Sequence, residues 1–430
     1  MTPLKNRRTN TATEARRLAL NIISAMRSRS AFVNPLIERS MIDSKLSYSD
    51  RAFVVQLARG VAATSGELDI IIKRACRRGT LPEPRVHDIL RLATYELVYL
   101  HKEPFIPIHQ AVELAREQAS YAAPFVNAVL RQLVRELEEF PWGDPKTSVE
   151  AAAHLYAFPQ WLAQRLVSDL GDAAARSFME ASNQPAPVYF ANMLDLSCVL
   201  IDSRELPRYK TRVDAGELIV ADASTQEVAR IALPLPDGSF LEVGSGRGTK
   251  TILIQRAAVL AYGRQTRQYA LEKAASKQMR FEARLRQYGL EPPVSIRADV
   301  LNLGEIIAAG KLPRSYRGAL IDAPCSNTGT LRRHPEARWR LTSEAVTQMA
   351  EQGLAMLRVV APHIEKDGFV VYSTCSVLVE ENEQVVEAFL ASEAGRGFSR
   401  PEPFFRPMLT PGSPDAHFAA KLIRDEQKEK

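Results

Sequence analysis

The sequence predicts a multidomain chain, with an all-α helical bundle in its first third and an α/β domain on a mostly parallel sheet in its second half. Three observations lead there. Apolar residues in the first third recur at helical spacing, short apolar runs alternate with helix-like stretches from Gly238 onward, and 430 residues exceed what one hydrophobic core usually organises. The expected division is a helical domain over 1–140, linker helices and a small connecting subdomain over 141–220, and the α/β domain over 221–430.

Residues 12–139 read as helices joined by short turns. After Ser49, a reasonable N-cap, Phe53, Leu57 and Val61 lie on one face, and Phe125, Val129, Leu133 and Leu137 repeat the same spacing. The turns Arg78-Gly79-Thr80-Leu81-Pro82 and His101-Lys102-Glu103-Pro104 carry residues at which helices stop. A helical bundle follows. Residues 140–145 read as a boundary, 161–170 as a further helix, 183–187 as a break, and 188–221 as a mixed connecting segment.

Candidate strands of the α/β domain are 240–243, 269–271, 294–296, 319–321 and 369–372, separated by helix-like stretches that include 273–288 and 343–360. Ligands of such sheets bind beyond the carboxyl ends of the strands, so chemistry is expected just after these runs.

Composition bounds the function. With 46% hydrophobic and 25% charged residues the chain reads as an ordinary folded protein, and no apolar run approaches the roughly 18 residues of a membrane span. The basic stretch 1–10 is followed by no apolar core, which argues against a secretory signal and makes the cytoplasm the expected compartment. Cys76, Cys198, Cys325 and Cys375 are far apart, without a Cys-x-x-Cys pair, so neither a disulfide framework nor a metal site is expected. Cys76 and Cys198 read as packing residues. Residues 1–140 hold 21 Lys+Arg against 15 Asp+Glu, whereas the remainder balances at 35 against 35. A basic first third suits a nucleic acid, the alternative being an ordinary solvated helical surface.

The first α/β strand leads into Gly244-Ser245-Gly246-Arg247-Gly248-Thr249-Lys250, a glycine-rich turn that opens a helix and lets backbone approach a ligand. Glu272 ends the second strand, where a carboxylate can accept from ribose hydroxyls, and Asp299 ends the third. Singly these read as a tight turn, a solvated carboxylate and a helix cap. Together they describe a nucleoside pocket, with a dinucleotide such as NAD still open.

The fourth strand ends in Asp322-Ala323-Pro324-Cys325-Ser326-Asn327-Thr328-Gly329 and the fifth in Tyr372-Ser373-Thr374-Cys375-Ser376-Val377. A lone cysteine is more often a small buried hydrophobe. Two of them, each followed by serine and each closing a strand, instead face one cleft, an arrangement suited to covalent catalysis by an activated thiol.

The paired motifs Asp322-Ala-Pro-Cys325-Ser and Tyr372-Ser-Thr-Cys375-Ser resemble the signature of bacterial RNA cytosine-5 methyltransferases. Ile108-His-Gln-Ala-Val-Glu-Leu-Ala115 and Phe125-Val-Asn-Ala-Val-Leu-Arg131 are similar to the antitermination factor NusB. The combination resembles the Sun/Fmu-type (RsmB) methyltransferases of 16S rRNA, over roughly residues 12–424. The resemblance implies a NusB-like helical domain and a Rossmann-like class I methyltransferase domain using S-adenosyl-L-methionine. It implies Cys375 as nucleophile, Cys325 assisting product release, and cofactor contacts from Gly244 to Lys250, Glu272, Asp299 and Asp322. Asp322 and Lys250 would also lie near the target base. The expected form is a monomer acting on RNA. Three segments depart from the family: the glycine turn replaces the usual Cys-Ala-Ala-Pro-Gly-Gly-Lys, the connecting segment 188–220 is short, and Asp415-Ala416-His417-Phe418 stands where Asp-Gly-Phe-Phe is usual.

After Cys325 comes a segment with four arginines and a tryptophan, of which Arg332, Arg333, Arg338 and Trp339 are expected to contact RNA by phosphate pairing and base stacking, an ordinary loop with a packed tryptophan being the alternative. The target base must be unpaired or flipped, because stacking hides carbon 6. Two other readings stand beside rRNA methylation: cytosine-5 methylation of another RNA such as tRNA, and a non-catalytic RNA-binding assembly factor.

Overall fold

The computed structural model describes residues 12–42, 44–76 and 79–425, so the basic stretch 1–10 and Arg78 of the first expected turn lie outside the described residues. The chain divides into two compact units, Met1–Asn183 with Leu331–Arg340, and Gln184–Thr330 with Leu341–Lys430. Residues 141–183 pack in one compact unit with the helical bundle, and so does the short segment after the Cys325 motif.

The helical unit runs α1 (Glu14–Ser28), α2 (Val33–Met41), α3 (Tyr48–Ala75), α4 (Pro84–Val98), α5 (Phe105–Gln118), α6 (Ala123–Glu136), α7 (Val149–Tyr156), α8 (Gln160–Leu170) and α9 (Asp172–Ala181). α3 starts two residues earlier than expected, because Ser47, and not Ser49, caps it: the Ser47 hydroxyl accepts from the Asp50 amide at 3.1 Å. Leu57 and Val61 are fully buried as their spacing requires, with Leu20 and Ile23 of α1 and Leu90 of α4 in the same core. On α6 the buried stripe is Val126, Val129, Leu130 and Leu133, and Phe125 turns outward at 42% exposure.

Residues Leu331–Arg340 form a plug in this unit. Arg338 is fully buried, and its guanidinium donates to the carbonyls of Tyr156 and Ala157, to Asn183 Oδ1 at 2.8 Å and to the Ser182 carbonyl at 3.1 Å, while stacking 4.2 Å above the Phe158 ring. Burial lowers Arg338 to about 9. Trp339 donates from Nε1 to the Ala63 carbonyl at 2.7 Å, and its ring lies over Gly66, where a Cβ would stand 2.1 Å from it. Arg332 is buried as well, its carbonyl accepting from Arg59, and Glu336 accepts from the Val33 amide. The expected RNA contacts by Arg332 and Arg338 are thus corrected by their burial, whereas Trp339 is half-buried. A planar guanidinium is the side chain that can satisfy several buried carbonyls at once, and that is the use made of it here.

In the second unit, β1 (Val188–Asn192), β2 (Cys198–Ile201) and β3 (Leu218–Val220) make a small antiparallel sheet ordered β2-β1-β3. Cys198, expected in packing, is exposed on its edge strand. The main sheet contains β4 (Ser239–Val243), β5 (Arg267–Leu271), β6 (Val294–Ile296), β7 (Tyr316–Asp322), β8 (Ile364–Thr374), β9 (Phe398–Ser399) and β10 (Phe418–Arg424), in the order β6-β5-β4-β7-β8-β10-β9. β4 to β8 pair in parallel, whereas β10 pairs antiparallel with β8 and β9. Strand alternation builds a core on each face: Leu241, Val243, Ala319, Ile321, Val370 and Tyr372 fill one, and Phe240, Leu320 and Val371 the other.

Arg338→Ala should lower the unfolding free energy by about 2–4 kcal/mol, because it leaves buried carbonyls without a donor and opens a void. Arg338→Lys should recover little of this, since one ammonium cannot span the same acceptors. Chemical denaturation of the two variants checks both, and wild-type stability in Arg338→Ala would contradict the role.

Candidate active site

The sheet reverses its winding between β4 and β7, and the loops leaving these strands flank the crevice at which open α/β sheets bind ligands. Gly244, Gly246 and Gly248 of the turn after β4 all have positive φ. At Gly244 the need is steric as well, since a Cβ would lie 2.5 Å from the Asp322 carbonyl at the end of β7. Gly248 precedes the helix Thr249–Tyr262. Ser245 is buried, Arg247 is exposed, and the Arg247 carbonyl and Thr249 hydroxyl both accept from Arg284.

Glu272 is buried at the end of β5 and braces the turn. One carboxylate oxygen accepts from the Gly246 amide at 2.9 Å and the other from the Ala274 amide at 2.7 Å. Each oxygen keeps a lone pair for a further donor. At the end of β6, Asp299 accepts from Lys273 at 2.8 Å and from the Leu301 amide at 3.1 Å, and the lysine hydrogen bond holds its carboxyl below the usual range. β5 and β6 are neighbours, so both carboxylates end adjacent strands. Gly246 faces open space, where a Cβ would meet nothing nearer than 3.8 Å. An approachable glycine backbone beside two acceptor carboxylates fits an adenosine-bearing cofactor.

Beneath the turn Glu242 is buried, accepting from the Thr251 hydroxyl at 2.7 Å and from Gln268. Burial pushes it up to about 7. Lys250, in the first turn of the helix, pairs with Asp322 at 2.7 Å. Burial alone would lower this ammonium, but the charge and hydrogen bond of Asp322, with smaller help from Cys375 and Glu242, carry it upward.

The two thiols meet beside this pair. Cys325 Sγ lies 3.5 Å from Cys375 Sγ, and the Cys375 thiol donates to Asn327 Oδ1 at 2.9 Å. Cys325 is buried, while Cys375 is partly open. The hydrogen bond with Cys375, then burial, push Cys325 far up and hold it as a thiol. Below them a polar knot joins the loops: the Ser326 amide and hydroxyl each donate to Glu381 at 2.6 Å, the Ser376 hydroxyl donates to the same carboxyl, and Thr328 and Ser376 are 3.0 Å apart. The Gly329 amide donates to the Cys375 carbonyl at 2.9 Å. Thr374 donates to Asn382, whose own amide returns to the Ser376 carbonyl.

The structure therefore gathers Gly244 to Lys250, Glu272, Asp299, Asp322, Cys325 and Cys375 beyond the carboxyl ends of the parallel strands. Arg332, Arg333, Arg338 and Trp339 belong to the helical unit instead. Sequence reasoning missed Asn327, Thr328, Glu381 and Asn382. The serines after each cysteine were the available hint of a polar underside.

Residues 230–401 match the family model described as 16S rRNA methyltransferase RsmB/F, and residues 13–135 match the NusB family. The chain is 29% identical over 423 residues to a Synechocystis protein named "Probable ribosomal RNA small subunit methyltransferase B", covering 87% of this chain and 89% of that one. It is 27% identical over 421 residues to the ribosomal RNA small subunit methyltransferase B of Cronobacter sakazakii, covering 89% and 92%. The crystal structure of PH0851 shares the fold, with a TM-score of 0.70 at 18% identity over 96% of this chain and 99% of that one.

Glu242 makes the stability of the fold depend on pH. Its folded value is raised from 4.5 to about 7, so the fold binds its proton more tightly than the unfolded chain, and stability falls as pH rises between these values. Glu242→Gln keeps an acceptor for Thr251 and removes the charge. The variant should exceed wild type in unfolding free energy by up to about 3 kcal/mol above pH 7, with the gap closing toward pH 4.5. A gap independent of pH would contradict the assignment.

Proposed function

From a chain that unites a NusB-family domain with an RsmB/F-type, S-adenosylmethionine-dependent methyltransferase domain, we propose an enzyme that methylates carbon 5 of a cytosine in small-subunit (16S) rRNA through a covalent adduct on Cys375. The observation that carries the reading is the pair of thiols 3.5 Å apart, one partly open and one buried, beside the Lys250–Asp322 ion pair. The small-subunit rRNA assignment draws on the names of the relatives and on the NusB-family match.

Carbon 5 of cytosine is a poor nucleophile. Cys375 attacks carbon 6 as a thiolate, forming a carbon–sulfur bond and making carbon 5 enamine-like. S-adenosylmethionine, when bound, supplies an electrophilic methyl group, and the glycine turn 244–250 with Glu272, Asp299 and Asp322 would hold it. The Lys250 ammonium and Cys375 interact electrostatically, so positive charge acts on the attacking sulfur. After transfer the carbon 5 proton passes to water or a base in the cleft, the carbon–sulfur bond breaks, and Cys375 leaves as a thiolate. Cys325, held as a thiol by its neighbour and by burial, can donate a hydrogen bond to the departing sulfur. That asymmetry favours Cys375 as nucleophile and Cys325 as the group that eases release.

Cys375→Ala should cut methyl transfer to unmodified small-subunit rRNA by at least about 10³-fold. Cys325→Ala should still attack, and should accumulate an RNA-linked protein seen as a retarded band on a denaturing gel. Full activity in the first variant, or fast turnover without adduct in the second, would overturn the assigned roles. Label appearing only in transfer RNA or large-subunit rRNA would keep the chemistry and overturn the substrate.

A further inference from the structure

Between α5 and α6 the helical unit carries an open groove of about 880 Å³. Phe105 stands at its rim, 68% exposed, and stacks on His109 with ring centroids 5.8 Å apart and an interplanar angle of 28°. Leaving a phenyl ring so far in water forgoes about 1.5–3 kcal/mol of burial, so its position suits a ligand that covers it. The opposite wall carries Arg131 and Arg135, one helical turn apart on α6 and both exposed. Their hydrogen-bond partners are neutral, Asn127 for Arg131 and Gln132 for Arg135. Arg116, also in the lining, is by contrast paired with Glu113. The groove thus combines a flat aromatic pair with two guanidinium groups that form no ion pair among the described residues.

This combination selects among partners. Unpaired nucleotides offer faces that stack on aromatic rings and phosphates that pair with guanidinium, whereas a duplex hides its base faces. The charge of the chain agrees, because the whole excess of Lys+Arg over Asp+Glu lies in residues 1–140. The arginine-rich segment 331–340 does not compete for this role through Arg332 or Arg338, whose side chains are buried.

We propose that the α5–α6 groove binds an unpaired segment of the RNA substrate, with Phe105 and His109 stacking on bases and Arg131 and Arg135 pairing with phosphates. The inference rests on the RNA-methyltransferase reading, but it concerns binding alone.

The test uses the full chain and a fluorescent single-stranded oligoribonucleotide from small-subunit rRNA, followed by anisotropy across a salt series. Phe105→Ala should weaken binding about 5-fold or more, and Phe105→Trp should retain it. Replacing Arg131 and Arg135 together by alanine should reduce the slope of log K against log salt by about 1.4, or 0.7 per lost phosphate contact. Thermal midpoints should stay at the wild-type value, because these side chains are exposed. Variants that bind like wild type, with methyl transfer intact, would overturn the groove and leave the enzyme reading standing. Binding of an acidic apolar peptide in preference to RNA would assign the groove to a protein partner and overturn the proposal. A wild-type chain that binds no RNA would overturn both readings.

Discussion

The chemistry of this chain depends on how two strand ends are tied together. β7 and β8 run parallel in register, with Asp322 opposite Ser373, and the Ala323 amide donates to the Ser373 carbonyl at 2.9 Å. That pairing brings the two cysteine loops side by side, and Glu381 fastens them from below through Ser326 and Ser376. Burial raises the Glu381 carboxyl, so the knot is costly unless every partner is present. Each hydroxyl in it has a partner, and the result is two sulfurs held 3.5 Å apart with no disulfide between them.

The same strand order explains the rest of the site. Because the winding reverses between β4 and β7, the glycine turn and Asp322 meet across the crevice, and the Lys250–Asp322 pair forms where the turn becomes a helix. Glu272 links the neighbouring strand by holding the Gly246 amide. The residues that brace the loop are thus the ones that end the strands. Placement of carboxylates at strand ends serves the backbone first and leaves lone pairs toward the crevice.

Much of this was legible in the sequence, for physical reasons that can be named. Parallel strands buried on both faces read as short apolar runs, so β4 to β8 were found within a few residues of their ends. The glycines, strand-end carboxylates and cysteine motifs sit in local patterns. β10 was missed because it pairs antiparallel and lies outside the strand–helix alternation that marks the others. Glu381 was missed because its partners are loop residues brought near by tertiary structure. Arg338 misled for a related reason: composition says that it is cationic, but only packing says that it spends its donors on buried carbonyls. The packing of 141–183 against the bundle is likewise not legible, since the breaks at 140–145 and 183–187 look alike in sequence and only the second separates compact units.

The proposed chemistry requires that Cys375, and not Cys325, attacks the base. RNA containing 5-fluorocytidine at the target cannot lose a proton from carbon 5 after methyl transfer, so the attacking sulfur stays bonded to carbon 6. Incubating it with the wild-type chain and S-adenosylmethionine, then mapping the linked peptide by mass spectrometry, reads the nucleophile directly. The nucleotide is expected on the peptide containing Cys375. Its appearance on the peptide containing Cys325, or no adduct from RNA that is otherwise bound, would contradict that chemistry.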